Sequence, residues 1–291
     1  MAKMNIKKFS DPKAQAKWLV ENQALLKAQR RSEPKKSDGM SFGFTSFAVN
    51  EKGERLKAES DDTGNPIEDK GVLKVKCIIN ATNILDSHRD LHIPGLWKKS
   101  LTEKKLIYLC KEHNLTFEGI ISDEITAYTQ NYTFAELGYP EYEGSAECLV
   151  FDAIIRKSRN EYMYDQYKQG FVRNHSIRME YVKEYFCMRE SFAEGEASYT
   201  DYIDHWNKYA PMCANQDDLD SVNWFYAVVE AKIKDEGSAV VKGSCFTTPT
   251  IELSDDDDED IEEGQAGDKS LDEDKNEPDT STQKSYYSSL I

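Results

Sequence analysis

The sequence predicts an α+β protein built on a mainly antiparallel, partly closed β-barrel with helices packed around it. Many short segments alternate apolar and polar residues, whereas few show helical periodicity, and no internal repeat is visible. The alternation is clearest from Val72 onward, where apolar residues fill every second position and Lys74 and Lys76 lie on the other face. At 291 residues the chain is long enough for one substantial core with appendages.

Each further element is predicted from its local pattern. A helix is predicted over 12–31, because Ser10 or Asp11 can cap it, Pro12 suits its first turn and an apolar stripe runs along it. A second helix is predicted over 158–169. Beyond the strand from Val72, strands are predicted over 105–111, 116–122, 125–133, 146–156, 171–187, 224–233 and 238–246.

Charge divides the chain into three regions. Residues 1–36 form a basic N-terminal helical arm, with ten Lys and Arg against three Asp and Glu. Residues 37–253 form the main domain, with an insertion at about 188–223 that contains a short helix near 199–209. Residues 254–291 hold fourteen Asp and Glu against three Lys and almost no apolar residue, so this acidic tail is predicted to be disordered. As an extended segment it is expected to be trimmed during maturation.

Composition excludes several classes of protein. The net charge is −16, and an acidic main domain argues against specific binding to nucleic acid, since phosphate contacts need clustered Lys and Arg. The basic arm is interpreted as a solvated helix, with contact to nucleic acid or an acidic partner as the alternative. The sequence contains no run of 18 apolar residues, so no membrane span is predicted. The N-terminus lacks the apolar core of a signal peptide.

The six cysteines form no Cys-x-x-Cys pair. Several alternate with apolar residues, which predicts small buried hydrophobic side chains in a reducing compartment, with no disulfide framework. No cofactor is predicted.

Three separate segments carry the side chains of a nucleophilic hydrolase: Ser176, His113 and a carboxylate in the segment Asp235-Glu236-Gly237. Alternation along 171–187 turns Ile177 and its apolar neighbours to the core and leaves Ser176 on the polar face. A serine hydroxyl needs a base to take its proton, and His113, at the end of an apolar run, is the candidate base. A carboxylate would orient the imidazole and stabilise its charged form.

Other residues are also candidates for the roles of base, orienting acid and oxyanion stabiliser. His175 adjoins the serine but alternation turns it to the opposite face. Asp235 and Glu230 are rivals for the acidic role, and the carboxylate beside Gly237 is also compatible with a simple turn. Arg178 is a candidate for stabilising the oxyanion, or alternatively for a cross-strand salt bridge.

Three more histidines are candidates for other roles. His88 and His92 are spaced i, i+4, but they lack a Glu-x-x-His frame and are followed by Pro94 and Gly95, so no metal site is predicted. His205, in the insertion, is predicted to be a surface residue.

Residues 72–250 resemble the tailed-phage prohead (capsid maturation) protease family, whose members share the fold of the herpesvirus assembly proteases. The resemblance rests on Asp86-Ser87-His88-Arg89-Asp90 followed by Pro-Gly and an aromatic residue, on His113 after an apolar strand, on Ser176-Ile177, and on Glu236 before Ser238-Ala239-Val240, in that order. Thr247-Thr248-Pro249 resembles the closing turn of the family. The chain departs from the family pattern at Arg178, where glycine is usual, and in its insertion.

The resemblance implies a herpesvirus-protease-like fold and a serine endopeptidase of phage head maturation. Such an enzyme would act in the host cytoplasm, inside the immature prohead, on capsid and scaffold proteins and on itself. A homodimer is left open, and neither a membrane nor specific nucleic acid is implied as a partner. The alternative is a non-catalytic scaffold or assembly protein that keeps the protease fold.

Overall fold

The computed structural model describes residues 9–32, 71–103, 106–192 and 197–252. The predicted acidic tail, 254–291, therefore lies outside the described residues, as does much of the connector before Val72. Within the described ranges, no helix is long and apolar enough to cross a membrane.

The described residues form five α-helices and nine strands. The helices are α1 (Pro12–Glu21), α2 (Gln23–Ser32), α3 (Glu161–Lys168), α4 (Thr200–Tyr209) and α5 (Gln216–Asp220). The strands are β1 (Val72–Ala81), β2 (Asp90–His92), β3 (Tyr108–Lys111), β4 (Ile120–Ser122), β5 (Ile125–Thr133), β6 (Ser145–Arg156), β7 (His175–Met188), β8 (Trp224–Ala239) and β9 (Thr250–Glu252). The α+β class is thus confirmed.

These strands pair as two sheets. The first has the order β5-β6-β1-β9 and is antiparallel throughout. The second is mixed and is organised around β8, which pairs antiparallel with β7 on one edge and parallel with β2 and β3 on the other. No closed barrel forms among the described strands.

The main core lies between the two sheets and is covered by α3. It contains apolar side chains from both sheets, including Cys77 of β1, Phe151 of β6 and Ile177 of β7. The alternation predicted from Val72 places Val75, Cys77 and Ile79 in this core, as expected. All six cysteines are buried free thiols, which agrees with their prediction as small buried side chains.

The N-terminal helix predicted over 12–31 is broken at Asn22. Asp11 caps α1 by accepting hydrogen bonds from the backbone N–H groups of Lys13 and Ala14. At Asn22 the backbone leaves the helical conformation, with φ −104° and ψ 12°, and its side chain donates a hydrogen bond to the Trp18 carbonyl oxygen at 2.8 Å.

The interpretation of the N-terminal arm as a solvated helix is wrong at Arg30. This side chain is 1% exposed and forms ion pairs with Asp90 at 2.6 Å and Glu184 at 2.7 Å. Its guanidinium also lies 3.9 Å from the centre of the Tyr226 ring. The helix is therefore anchored to the main domain by a buried charge, because a guanidinium taken out of water needs paired carboxylates.

Other boundaries differ from prediction for local reasons. α3 begins later than residue 158 because the Asn160 side chain accepts a hydrogen bond from the Met163 N–H and caps the helix. The insertion contains α4 at Thr200–Tyr209, close to the predicted 199–209. The strands predicted over 224–233 and 238–246 are one strand, β8, which ends at Ala239.

Candidate functional site

Three neighbouring strands bring the predicted residues to one region of the mixed sheet. In the middle strand, β8, Glu236 pairs with Tyr108 of β3, and Ser238 pairs with Ser176 of β7. Because directly opposed residues share a face, the side chains of Ser176 and Ser238 point to the same side, with Cβ atoms typically about 5 Å apart. Glu236 lies two residues from Ser238 and shares that face.

A tight turn after β3 carries His113 onto this face. Glu112 and His113 both adopt positive φ values, 50° and 57°, so the chain reverses immediately after Lys111. The Glu112 N–H donates to the Ala239 carbonyl oxygen at 2.9 Å, and the His113 N–H donates to the Ser238 hydroxyl oxygen at 3.1 Å. The turn is therefore tied to β8 by its own backbone.

The imidazole of His113 is oriented by Glu236. His113 Nδ1 lies 2.8 Å from Glu236 Oε1, and the Glu236 side chain is fully buried. A carboxylate accepts at this distance, which assigns the Nδ1 proton to the bond and leaves Nε2 as the basic nitrogen. Nε2 is buried and makes no hydrogen bond within the described part of the chain.

Ser176 belongs to β7, which pairs with the edge of β8 opposite to β3. Its side chain lies on the same face of the sheet as that of Glu236. Its neighbour Ile177 points into the core, as the alternation predicts. Ser176 itself is only 8% exposed, so the hydroxyl is more enclosed than the open polar face predicted from the sequence. No hydrogen bond joins Ser176 to His113 among the described residues; such contacts are often long before substrate binds.

Among the three carboxylates considered, only Glu236 contacts the histidine. Asp235 is exposed and adopts a φ of 63°, forming an irregularity in β8. Glu230 instead binds the Lys99 ammonium through both carboxylate oxygens, at 2.9 and 2.8 Å. The geometry therefore favours Glu236 as the orienting carboxylate.

The alternative of a simple turn at Gly237 is wrong. Gly237 is inside β8, and a Cβ atom there would lie 2.7 Å from Phe151 Cε2 and 3.1 Å from Ile79 Cγ2. Glycine is needed because the core side chains of the opposite sheet approach the backbone at this point. This close approach leaves Glu236 and Ser238 on the other face, beside His113.

The sequence does not predict that Ser238 contacts both Glu236 and His113. Its hydroxyl donates to Glu236 Oε2 at 2.5 Å and accepts the His113 N–H. The signal was the Glu-x-Ser spacing, which puts both side chains on one strand face. The prediction of a strand that begins at residue 238 hides this spacing, because Glu236 then lies outside the strand.

The Cys110 thiol lies in the same region, paired with Ser238 across β3 and β8. Burial, together with the charge of Glu236, raises the pKa of the Cys110 thiol to about 12. A thiol held protonated is a poor nucleophile, so Cys110 does not compete with Ser176 for that role.

Arg178 follows Ser176 by two residues and so lies on the same strand face. The predicted alternative, a cross-strand salt bridge, does not form among the described residues. The Arg178 Nε atom is buried and makes no hydrogen bond within the same ranges. Within the described part of the chain, a positive charge without a carboxylate partner thus lies on the strand face of the candidate nucleophile.

His175 occupies the opposite face, as predicted. Its ring contacts the Tyr167 hydroxyl at 3.1 Å and the Thr248 carbonyl oxygen at 3.0 Å, and burial lowers its pKa to about 4. The Thr247–Thr248–Pro249 turn therefore supports the start of β7: Thr248 Oγ1 also donates to Asn174 Oδ1 at 2.6 Å.

The other histidines lie away from His113. The His92 ring contacts Asn80 at 2.9 Å and the Tyr181 hydroxyl at 3.1 Å, and His88 lies 3.9 Å from Asp86. The described residues contain no group of three or more His, Cys, Asp or Glu side chains that could hold a metal. His205, predicted to be a surface residue, is half-buried, with Nδ1 3.1 Å from the Phe186 carbonyl oxygen.

The Asp86–Asp90 motif builds a turn at the other end of β8. Asp86 Oδ1 accepts from the N–H groups of His88 and Asp90, at 2.8 and 2.9 Å. The strand that follows pairs with Tyr226, ten positions before Glu236 and so roughly 30 Å away along an extended strand. In this structure the motif organises the fold rather than the site.

Comparison of the chain with protein-family models, with curated proteins and with solved structures finds no match.

Proposed function

We propose that this chain is a serine endopeptidase of tailed-phage head maturation, with Ser176 as nucleophile, His113 as general base and Glu236 as the orienting carboxylate. The observation that carries the proposal is the 2.8 Å contact between His113 Nδ1 and Glu236 Oε1. It leaves the other ring nitrogen, on the face that Ser176 shares, without a hydrogen-bond partner among the residues that the structure describes. The assignment to phage heads and the herpesvirus-protease-like barrel rest on the resemblance of the four motifs.

The arrangement supports a two-step acyl transfer. Ser176 Oγ attacks the carbonyl carbon of the scissile peptide bond while His113 Nε2 takes the hydroxyl proton. The tetrahedral intermediate collapses, the C–N bond breaks, and Nε2 gives its proton to the leaving amine. Water then attacks the acyl ester by the same route and regenerates the serine.

Two charges assist this reaction. Glu236 stabilises the imidazolium that forms when His113 takes the proton, and it does so strongly because the carboxylate is fully buried. Arg178 carries a fixed positive charge on the strand face of Ser176, and this charge would stabilise the negative oxygen of the intermediate.

The test is co-expression of the chain with the capsid and scaffold proteins of its own genome, followed by mass spectrometry of the products. Wild type and Ser122→Ala should yield shortened capsid or scaffold chains, whereas Ser176→Ala should leave them at full length. Ser122 is the matched control, because it is a buried serine in β4 whose hydroxyl bonds only to backbone groups.

Undiminished cleavage by folded Ser176→Ala would overturn the assignment of the nucleophile. Intact partner proteins beside the wild-type chain, combined with a Ser176 hydroxyl that does not react with a serine-directed probe, would favour the non-catalytic assembly protein.

A further inference from the structure

Ser238 holds two parts of the site at once. It is fully buried in β8, and its hydroxyl donates to Glu236 Oε2 at 2.5 Å while accepting the His113 N–H at 3.1 Å. One hydroxyl has one proton and two lone pairs, so both bonds are satisfied together. The side chain thus joins the carboxylate to the backbone of the histidine that the same carboxylate orients.

Each oxygen of Glu236 consequently has its own partner. Oε1 contacts His113 Nδ1 and Oε2 accepts from Ser238, which fixes the rotation of the carboxylate about its terminal bond. Without the second bond the carboxylate would be free to turn, and a buried carboxylate oxygen would lose its donor.

The backbone of His113 also needs support. Its φ of 57° is a left-handed conformation that residues other than glycine seldom adopt unless their surroundings impose it. The bond from the His113 N–H to Ser238 Oγ is one such restraint. This bond restrains the backbone from which the imidazole projects, while the contact with Glu236 restrains the rotation of the imidazole ring.

We propose that Ser238 is a positioning residue of the catalytic site, which acts on the reaction through Glu236 and His113 without touching the substrate. The inference rests on the proposed function, since it assigns how the base of that reaction is held. Removal of the hydroxyl is expected to loosen the imidazole and slow proton transfer, while the fold of β8 persists.

Two measurements on full-length protein test the proposal, using Ser238→Ala, Ser238→Thr and the control Ser122→Ala. The first is NMR of ¹⁵N-labelled protein, in which the Nδ1 proton of a histidine bonded to a carboxylate gives a low-field resonance. Disappearance of this resonance in His113→Gln assigns it. The second is the rate, as a function of pH, at which a fluorophosphonate probe labels Ser176; the Oγ–P bond forms, the P–F bond breaks and fluoride leaves.

In Ser238→Ala the low-field resonance should broaden or shift, and labelling should slow by a factor of roughly 10 to 100, the usual loss for a hydrogen bond to a charged group. The pH profile of labelling should change as well, since the environment of the base has changed. Ser238→Thr keeps the hydroxyl and should restore both signals, and Ser122→Ala should match wild type.

An unchanged resonance together with a labelling rate within twofold of wild type in Ser238→Ala would overturn the proposal, as would a probe adduct on Ser238 itself. Should the wild-type chain not be labelled at Ser176, the proposed function fails, and the His113 resonance alone still decides whether Ser238 positions the ring. Thermal unfolding of each variant confirms that folded protein is compared.

Discussion

Replacing Glu236 by glutamine removes one charge at the centre of the site and keeps the shape of the side chain. Glu236 is fully buried and contacts His113 at 2.8 Å, so no water can substitute for the lost carboxylate. Loss of the orienting acid in a triad costs about 10⁴ in rate, equivalent to roughly 5 kcal/mol of transition-state stabilisation. We expect Glu236→Gln to reduce the rate of fluorophosphonate labelling by that order.

Two isosteric variants separate this effect from a general loss of charge. Glu230→Gln breaks an ion pair with Lys99, whose side chain is 72% exposed, and should leave the labelling rate within about twofold, because exposed pairs contribute little. Asp235→Asn should also stay near wild type, since asparagine tolerates the positive φ at that position. Labelling rates measured at pH 7 for the three folded variants provide the comparison.

A labelling rate of Glu236→Gln within a few-fold of wild type would refute the role of Glu236 as the orienting carboxylate. A larger loss in Glu230→Gln than in Glu236→Gln would move the acidic role to Glu230, despite its contact with Lys99.

Three further predictions concern stability. Arg30→Met should lower the free energy of unfolding by about 3–5 kcal/mol in urea titrations, because it leaves two buried carboxylates without their cation; a loss below 1 kcal/mol would contradict the anchoring of the N-terminal helix. Gly237→Ala should cost about 1–3 kcal/mol by the same assay, since its Cβ would overlap core side chains; an alanine variant as stable as wild type would contradict that packing. The pKa of His175 is about 4 in the folded chain and about 6.5 in the unfolded chain, so the unfolded state binds more protons between these pH values. The free energy of unfolding should therefore fall by up to roughly 3 kcal/mol as the pH drops from 6.5 to 4. His175→Gln should lose less stability over that interval, and equal losses would contradict the lowered pKa of His175.

The fold can be predicted where apolar and polar residues alternate locally. The strand predicted over 125–133 has the bounds of β5, and the alternation from Val72 identifies the face of β1 that carries Val75, Cys77 and Ile79 into the main core. It does not show that β1 is buried on both faces from Cys77 onward, which depends on a second cluster of distant side chains. The break at Asn22 has no signal in the sequence, because the apolar stripe continues across it from α1 into α2.

The remaining differences come from contacts between distant segments. Asp235, Glu236 and Gly237 have the composition of a turn, yet they continue β8, because Gly237 packs against the opposite sheet and the Glu236 charge is met by His113. Arg30 lies in a segment whose composition is typical of a solvated helix. Its carboxylate partners nevertheless lie 60 and 154 residues away along the chain. Neither pairing leaves a local pattern.

One contact of the candidate site agrees with the roles predicted for its residues. The segments and the family resemblance predict Ser176, His113 and Glu236 as site residues, and the structure brings His113 and Glu236 into contact. What the sequence could not decide was which of three carboxylates makes that contact. The choice depends on the register between β3 and β8, which local patterns do not contain.

The most direct measurement is the site and chemistry of probe attachment. Full-length protein is treated with a fluorophosphonate and digested, and the adduct is located by tandem mass spectrometry in wild type, Ser176→Ala, His113→Gln and the control Ser122→Ala. A serine activated by His113 predicts a single adduct on Ser176 in wild type and in the control, none in Ser176→Ala, and labelling slowed by orders of magnitude in His113→Gln. An unlabelled wild-type chain, or an adduct that forms equally fast without His113, would contradict the account.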